Sequence, residues 1–269
     1  MKPLPGYQNA LLRNDSYVNA GKDPIYTAEE IHQFAQGDSE WGYKAILKNA
    51  LQQSYNVGVQ GGSKTTSYNI SFGYYDQESN YKGQDFGVKR YNFRSNVVSD
   101  IGRLKLTALL AYDRQEGRSD RGGLWLSDVM RVPTYNTYDI YPDADGKYYN
   151  TDVTTGGNFL ATLYHGGLTT NDDDHFQGVV SGELNIWKGL KAKAVLGYDL
   201  RSEHRLIKRR YHPVYDYIDR DKIINESDKK DYSIEDYNGK ITMLNTQFLL
   251  EYNRTFNKVH NVTGAVSYT

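Results

Sequence analysis

From Gln52 to the end, the chain alternates large apolar side chains with small or polar ones. This period of two constrains the fold more than any other feature of the sequence. In "GGSKTTSYNISFGYYD" (residues 61–76), Tyr68, Ile70, Phe72 and Tyr74 fall on one side of an extended chain, with Asn69, Ser71 and Gly73 on the other. A sheet built this way has one apolar face, which meets either a protein core or lipid.

The alternation predicts four hairpins. "QSYNVGVQ" pairs with "TSYNISFGYYD" across Gly61–Lys64, and "VKRYNFRSNVVS" with "RLKLTALLAYDR" across Asp100–Gly102. "HFQGVVSGELNIW" pairs with "LKAKAVLGYDLRSE" across Lys188–Gly189, and "MLNTQFLLEYNRTF" with "VHNVTGAVSYT" across Asn257–Lys258. The links between hairpins are long: about a dozen residues after Asp76, roughly sixty over 114–174 and roughly forty over 205–242, against a usual median of about five. Tight turns at one end of a sheet and long loops at the other are the asymmetry of an outer-membrane barrel.

Depth along the strands agrees with lipid. Counted from the tight turns, Tyr74, Tyr91, Tyr112, Phe176, Tyr198, Phe248 and Tyr268 all lie roughly 8–12 residues away, or about 20–28 Å along a strand tilted near 45°. They form an expected aromatic girdle above an apolar band that includes Val57, Phe93, Leu104, Leu106, Leu110, Val180, Leu196, Leu250 and Val266. The opposite parity holds Asn92, Asn96, Thr107, Asp199 and Asn245, with the charges Arg94, Lys105, Glu183, Lys191, Lys193 and Glu251, which we expect to face a watery lumen.

Composition supports this and excludes other classes. The hydrophobic content of 38% and mean hydropathy of −0.73 leave little to fill a dry core, while 25 tyrosines suit strands and interfaces. The net charge of −1 argues against a nucleic-acid partner, and zero cysteines exclude disulfides and thiolate metal sites. The sequence contains no run of 18 apolar residues that would make a membrane-spanning helix. Residues 1–52 read differently, as a helical and loop lead-in. "TAEEIHQFAQG" places Thr27 three residues before Glu30, a capping box that opens a helix ending near Gly37, and a second helical piece is expected around "WGYKAILKNA".

"NVGVQGGSKTTSYNISFGYYDQES…VKRYNFRSNV", with the preceding "YTAEEIHQFAQGDSEWGYKAILKNALQQ", resembles the SusC/RagA-like TonB-dependent transporters of Bacteroidetes. A Gly-Gly-Ser turn, a Tyr-rich strand and an Arg-Tyr-Asn strand follow in that order. The resemblance implies an all-β fold: residues 53–269 as an open, curved segment of about eight up-and-down antiparallel strands of a transmembrane β-barrel, with short helices near the N-terminus and in a long outer loop. It implies an outer-membrane location in a Gram-negative bacterium. It also implies import of oligosaccharides or peptides with a SusD-like lipoprotein and with TonB acting through a plug, and neither enzymatic activity nor a cofactor. The start "MKPLPGYQNALL" carries no secretory h-region, TonB box or plug, so the chain is expected to be an internal fragment, or a broken reading frame, of a longer transporter.

Chemical motifs are sparse. The six histidines are scattered, with no His-Glu-x-x-His and no Gly-x-Ser-x-Gly. "YPDADGKYY" (Asp143, Asp145, Gly146) reads as an Asp-Gly turn ahead of a calcium loop, and Asp172–Asp174 as a solvated loop end ahead of a cation site. "KRRYH" (Lys208–His212) is balanced by the acidic residues after it and reads as part of a mixed-charge external loop. In the loop over 114–174, Trp125, Tyr135, Tyr138, Tyr148 and Tyr149 are candidate glycan contacts, because aromatic rings stack on sugar faces; packing of the loop against its neighbours is the plainer account of them, since a loop this long needs its own small clusters. The alternative for the whole chain is a soluble all-β carbohydrate-binding or adhesin-like module. That reading requires the Leu104, Leu106 and Leu110 row to pack on a second sheet of the same chain.

Overall fold

The computed structural model describes residues 5–36, 45–120, 140–151, 157–225 and 232–269. Eight strands form one antiparallel sheet in chain order: β1 (Gln52–Gly62), β2 (Thr66–Glu78), β3 (Gly87–Ile101), β4 (Leu104–Asp120), β6 (Gly167–Trp187), β7 (Leu190–Arg209), β9 (Ser233–Phe256) and β10 (His260–Tyr268). The four expected hairpins are all present. Their turns have the required backbone: Gly102 and Gly189 take φ of 64° and 82°, and Asn257 and Lys258 take φ of 50° and 60°. Positive φ at both central residues makes the last turn type I′, whose twist matches the strands it joins.

A small element absent from the expected topology lies outside this sheet. β5 (Tyr148–Tyr149) and β8 (Val214–Tyr215) pair in parallel and tie the two longest links together. The helices are α1 (Gly6–Asn19), α2 (Ala28–Gln36) and α3 (Phe159–His165). The capping box of α2 is formed: Glu30 accepts from the Thr27 backbone N–H at 2.8 Å, and the Thr27 hydroxyl accepts from Glu30 N–H at 3.3 Å. α1 was not expected; its sequence has no strong apolar stripe, and Asn14 fastens it by accepting from the N–H groups of Ile25 and Tyr26. Of the second expected helical piece, a single turn at Ala45–Ile46 is helical, before Leu47 bridges to Tyr81; residues 41–44 lie outside the described residues.

Strands at the long-link end run further than the alternation indicated. β4 and β6 pair out to Asp120 and Leu168, and β7 and β9 out to Arg209 and Ser233. Asp172–Asp174 therefore lie inside β6, opposite Glu116, Gln115 and Arg114, and Lys208 and Arg209 lie inside β7. The physical reason is that above the apolar band the strands carry charged side chains that pair across them, as Arg114 does with Asp174, and pack under the links at Thr169 and Ile207, so the one-sided apolar alternation fades while backbone pairing continues.

The dry core sits in the links, not against the sheet. Ala45, Ile46, Phe86, Ile140, Leu160 and Leu163 form one cluster, with Tyr81, Tyr148 and Leu168 packed against it. Each fully buried Ile, Leu or Phe side chain contributes about 1.5–3 kcal/mol on leaving water. By contrast, the apolar face of the sheet is bare, with Val180, Leu196 and Phe248 51%, 50% and 58% exposed. Among the described residues Leu106 and Leu110 pack on no second sheet, which is the arrangement that the soluble-module alternative excludes.

Candidate functional site

The register sorts every strand residue onto one of two faces. Across one ladder Tyr55, Tyr74 and Tyr91 are mutually opposed; across the next, Phe72, Phe93, Tyr112, Phe176 and Leu200 follow in line. Phe248 pairs with Tyr268, and Tyr198 with Leu244, on this same face. All seven expected girdle residues thus share one face with the apolar band. Neighbouring rings touch: Tyr74 and Tyr91 have centroids 5.2 Å apart, and Phe176 and Tyr198 6.2 Å. The hydroxyls of Tyr74 and Tyr112 point to carboxylates on the long-link side, Tyr74 donating to Asp76 at 3.0 Å and Tyr112 to Asp174 at 2.5 Å. Apolar ring bodies with polar tips turned one way mark a boundary between an apolar and a wet zone.

A second aromatic group lies at the tight-turn end, and sequence reasoning missed it. The register shift between Asn185 and Trp187 sets Trp187 opposite Leu190 on the apolar face, where it is 66% exposed. The Arg254 guanidinium lies 4.7 Å from the Phe256 ring centre and 6.0 Å from that of Trp187. Phe176 and Trp187 bound the band on β6, eleven residues apart. That separation spans roughly 25 Å on a tilted strand, a bilayer's apolar thickness. Strict alternation predicts the wrong side for Trp187; only the bulge turns it.

The opposite face gathers the six expected charges. Lys105, Glu183 and Lys193 are in line across β4, β6 and β7, Lys191 lies opposite Glu251, and Lys191 Nζ is 3.2 Å from a Glu183 carboxylate oxygen. Arg94 borders a hollow with Asn69, Ser71, Asn96, Leu109, Gln177 and Val179. Nearer the long links, Asp199 accepts from Gln177 at 2.7 Å and lies 2.9 Å from His175 Nε2.

At the long-link end, Asn and Asp side chains frame the loops. Asn158 caps α3 by accepting from Ala161 N–H, and its amide donates to the carbonyls of Ile140 and Tyr149. Asn225 accepts from Val214 N–H and donates to the His212 carbonyl. Asp143 accepts from the N–H groups of Asp145 and Lys147 and, at 2.7 Å, from the Tyr149 hydroxyl, the bonding of an Asx turn. Tyr149 is buried, so it belongs to this frame, whereas Tyr148 borders an open cleft. Trp125, Tyr135 and Tyr138 lie outside the described residues.

The Tyr149 hydroxyl, then the Lys147 backbone N–H, hold the Asp143 carboxyl below the usual range; the N–H groups of Asp219 and Ile218 do the same for Asp216. A depressed carboxylate lends stability above its unfolded pKa of about 4 and loses it as pH falls through the lower folded value. Amides of residues 143–149 and 216–219 are therefore expected to be protected from hydrogen exchange at neutral pH and to lose that protection as pH falls below about 4. Protection that does not fall as pH is lowered from about 4 into strong acid would contradict this frame.

An antiparallel meander with one bare apolar face bounded by aromatics, and its dry core at one end, is the sheet of a membrane-spanning β-barrel. No family model matches the chain. Its sequence is 22% identical over 232 residues to TonB-dependent receptor P39 of Formosa agariphila, covering 84% of this chain and 20% of that protein. It is 27% identical over 139 residues to TonB-dependent receptor P26 of the same organism, covering 50% of this chain and 13% of that protein. Among solved structures, the RagAB peptide transporter matches with a TM-score of 0.66 at 18% identity, over 98% of this chain and 32% of that one. The RagAB peptide importer in its open-open state gives 0.64 at 19% identity, over 98% and 31%. The chain has the fold of an eight-strand arc of a SusC/RagA-like TonB-dependent transporter barrel, and its sequence is similar to TonB-dependent receptors. It spans 20% or less of the length of these curated relatives.

Proposed function

We propose that this chain is the eight-strand portion of an outer-membrane importer of the SusC kind, taking up oligosaccharides or peptides with a SusD-like lipoprotein partner and with TonB supplying energy through a plug. The observation that carries the reading is the bare apolar band between the Tyr74–Phe176–Tyr198 row and the Trp187–Arg254–Phe256 group. In this reading the band and girdle contact lipid, and Arg94, Lys105, Glu183, Lys191, Lys193 and Glu251 face the lumen. A lipid-facing Arg or Lys at mid-depth would cost about 2–4 kcal/mol, so their shared parity opposite the band supports the assignment. Tyr148, with Trp125, Tyr135 and Tyr138, belongs to the outer loops that meet the substrate, and Tyr149 holds that layer together.

This portion has no cysteine, so single spin labels are unambiguous within it. In the full-length transporter in lipid vesicles, labels at Leu110→Cys and Val180→Cys should be relaxed by oxygen and shielded from a water-soluble nickel chelate, with the reverse at Arg94→Cys. Equal access of both relaxants at all three positions would sink the reading.

A further inference from the structure

Where β5, α3 and the end of β7 meet, the loops enclose a cleft of about 560 Å³ bordered by Lys147, Tyr148, Tyr164, His165, Arg210 and Tyr232. We propose that this cleft binds an acidic oligosaccharide; the inference rests on the importer reading and narrows its substrate class. Three observations point there. The first is charge. Among the described residues, Lys147 and Arg210 face the cleft against a single lining carboxylate, Asp145. Among the described residues Arg210 makes no ion pair, and Lys147 has only a long one, 3.9 Å to the exposed Asp221. A guanidinium left open in this way presents a planar fork that matches a carboxylate or sulfate.

The second is the character of the walls. Tyr164 and Tyr232 are exposed, and Tyr148 stands edge-on to His165 with centroids 5.4 Å apart. Flat rings on several sides suit the apolar faces of sugar rings, with hydroxyls left to the polar groups between. Among the described residues, Pro213 is the one non-aromatic apolar side chain lining the cleft, which offers a peptide no aliphatic pocket there. Of the two short strands beside the cleft, β8 is paired on both sides, by β5 and at Tyr215 by Ile223, so only the outer edge of the two-residue β5 is left for a peptide to extend.

The third is preorganisation. Lys147 N–H is bonded to Asp143 at 2.9 Å, and Arg210 N–H donates to the Gly166 carbonyl at 3.2 Å. Both cations therefore hang from an anchored backbone, which lowers the ordering cost of binding.

The test is calorimetry on the full-length transporter in detergent with a galacturonic acid hexasaccharide, a sulfated galactose hexasaccharide, neutral galactose hexasaccharide and hexaglutamate. We expect one or both acidic sugars to bind, more weakly as salt rises, and the pair to distinguish a carboxylate from a sulfate preference. Arg210→Gln, with an unchanged circular dichroism spectrum, should weaken that binding about tenfold, the loss of one charge-assisted hydrogen bond. Arg118→Gln, on β4 and outside the cleft, should not. Neutral sugar or hexaglutamate binding as tightly as the acidic sugars, salt-independent affinity, full affinity in the Arg210→Gln protein, or no binding of either acidic sugar would each overturn the inference. The importer reading is judged separately by the spin labels, so its failure and this one are distinguishable.

Discussion

Expressed alone in aqueous buffer, residues 1–269 should sediment as aggregate and be recovered as a dispersed species only in detergent. Val57, Phe72, Leu110, Val180, Leu196, Phe248, Leu250 and Val266 all stand open on one face, an area far above the few hundred Å² that a soluble monomer tolerates. At about 1.5–3 kcal/mol for each such side chain removed from water, the drive to cover the face exceeds the few kcal/mol by which an ordinary domain is stable. β1 and β10 add two unpaired edges, each a template for another chain. Sedimentation with and without detergent measures this directly. A monodisperse, cooperatively unfolding monomer in plain buffer would overturn the lipid-facing reading and restore the soluble module.

In the full-length transporter, the double change Lys191→Glu and Lys193→Glu should reduce uptake severalfold and leave capture of substrate at the cell surface intact. Both lysines share a face with Glu183 and Glu251, and Lys191 lies 3.2 Å from Glu183, so the reversal sets four carboxylates side by side. Like charges directly opposite on neighbouring strands cost up to about 1 kcal/mol each, a local penalty that a closed barrel withstands. A plug held by those lysines loses its partners altogether. Adding Glu183→Lys and Glu251→Lys restores the pairing within the sheet while leaving the pattern presented to the lumen inverted. Uptake should then stay low. Recovery of uptake in this fourfold variant would show that the charges serve only the sheet, and equal loss of capture and uptake in a normally inserted double variant would count as heavily against a plug contact.

The strands, their order and their parity were legible because a half-apolar sheet has to write its period into the side chains, as Tyr68 through Tyr74 and Leu104 through Leu110 do. What escaped was whatever breaks that link between period and face. Asp172–Asp174 pair normally inside β6, but a run of charged residues above the apolar band lacks the alternation that would have announced a strand. Trp187 changes side through a bulge that leaves no local signature. Leu109 and Val179 lie opposite each other on the polar face, where a wet or protein-filled interior tolerates apolar residues. The outer-loop frame escaped for another reason. Asn158 bonds to Ile140 and Asn225 to Val214, contacts set by tertiary approach and not by spacing along the chain. Of the candidate ligand contacts, composition picked out Tyr148 and Tyr149 alike, yet only burial separates the ring that borders the cleft from the ring that props the loop.

The loop-borne core also bears on how such a protein diversifies. Ile46, Phe86, Ile140, Leu160 and Leu163 come from three segments, the lead-in and the links after β2 and after β4, and meet in one dry cluster. A loop exchanged singly between homologues arrives without its packing partners, leaving a void that costs about 2–5 kcal/mol for each large side chain lost. New ligand preferences are therefore acquired along two routes: substitutions on the open wall, at positions such as Tyr164 or Arg210, or wholesale transfer of the links as a linked set. Recombination breakpoints in natural relatives should accordingly avoid the stretch from Ile46 to Leu163, which would part these five residues, and fall beyond it, as at the tight turns after β6 and β9.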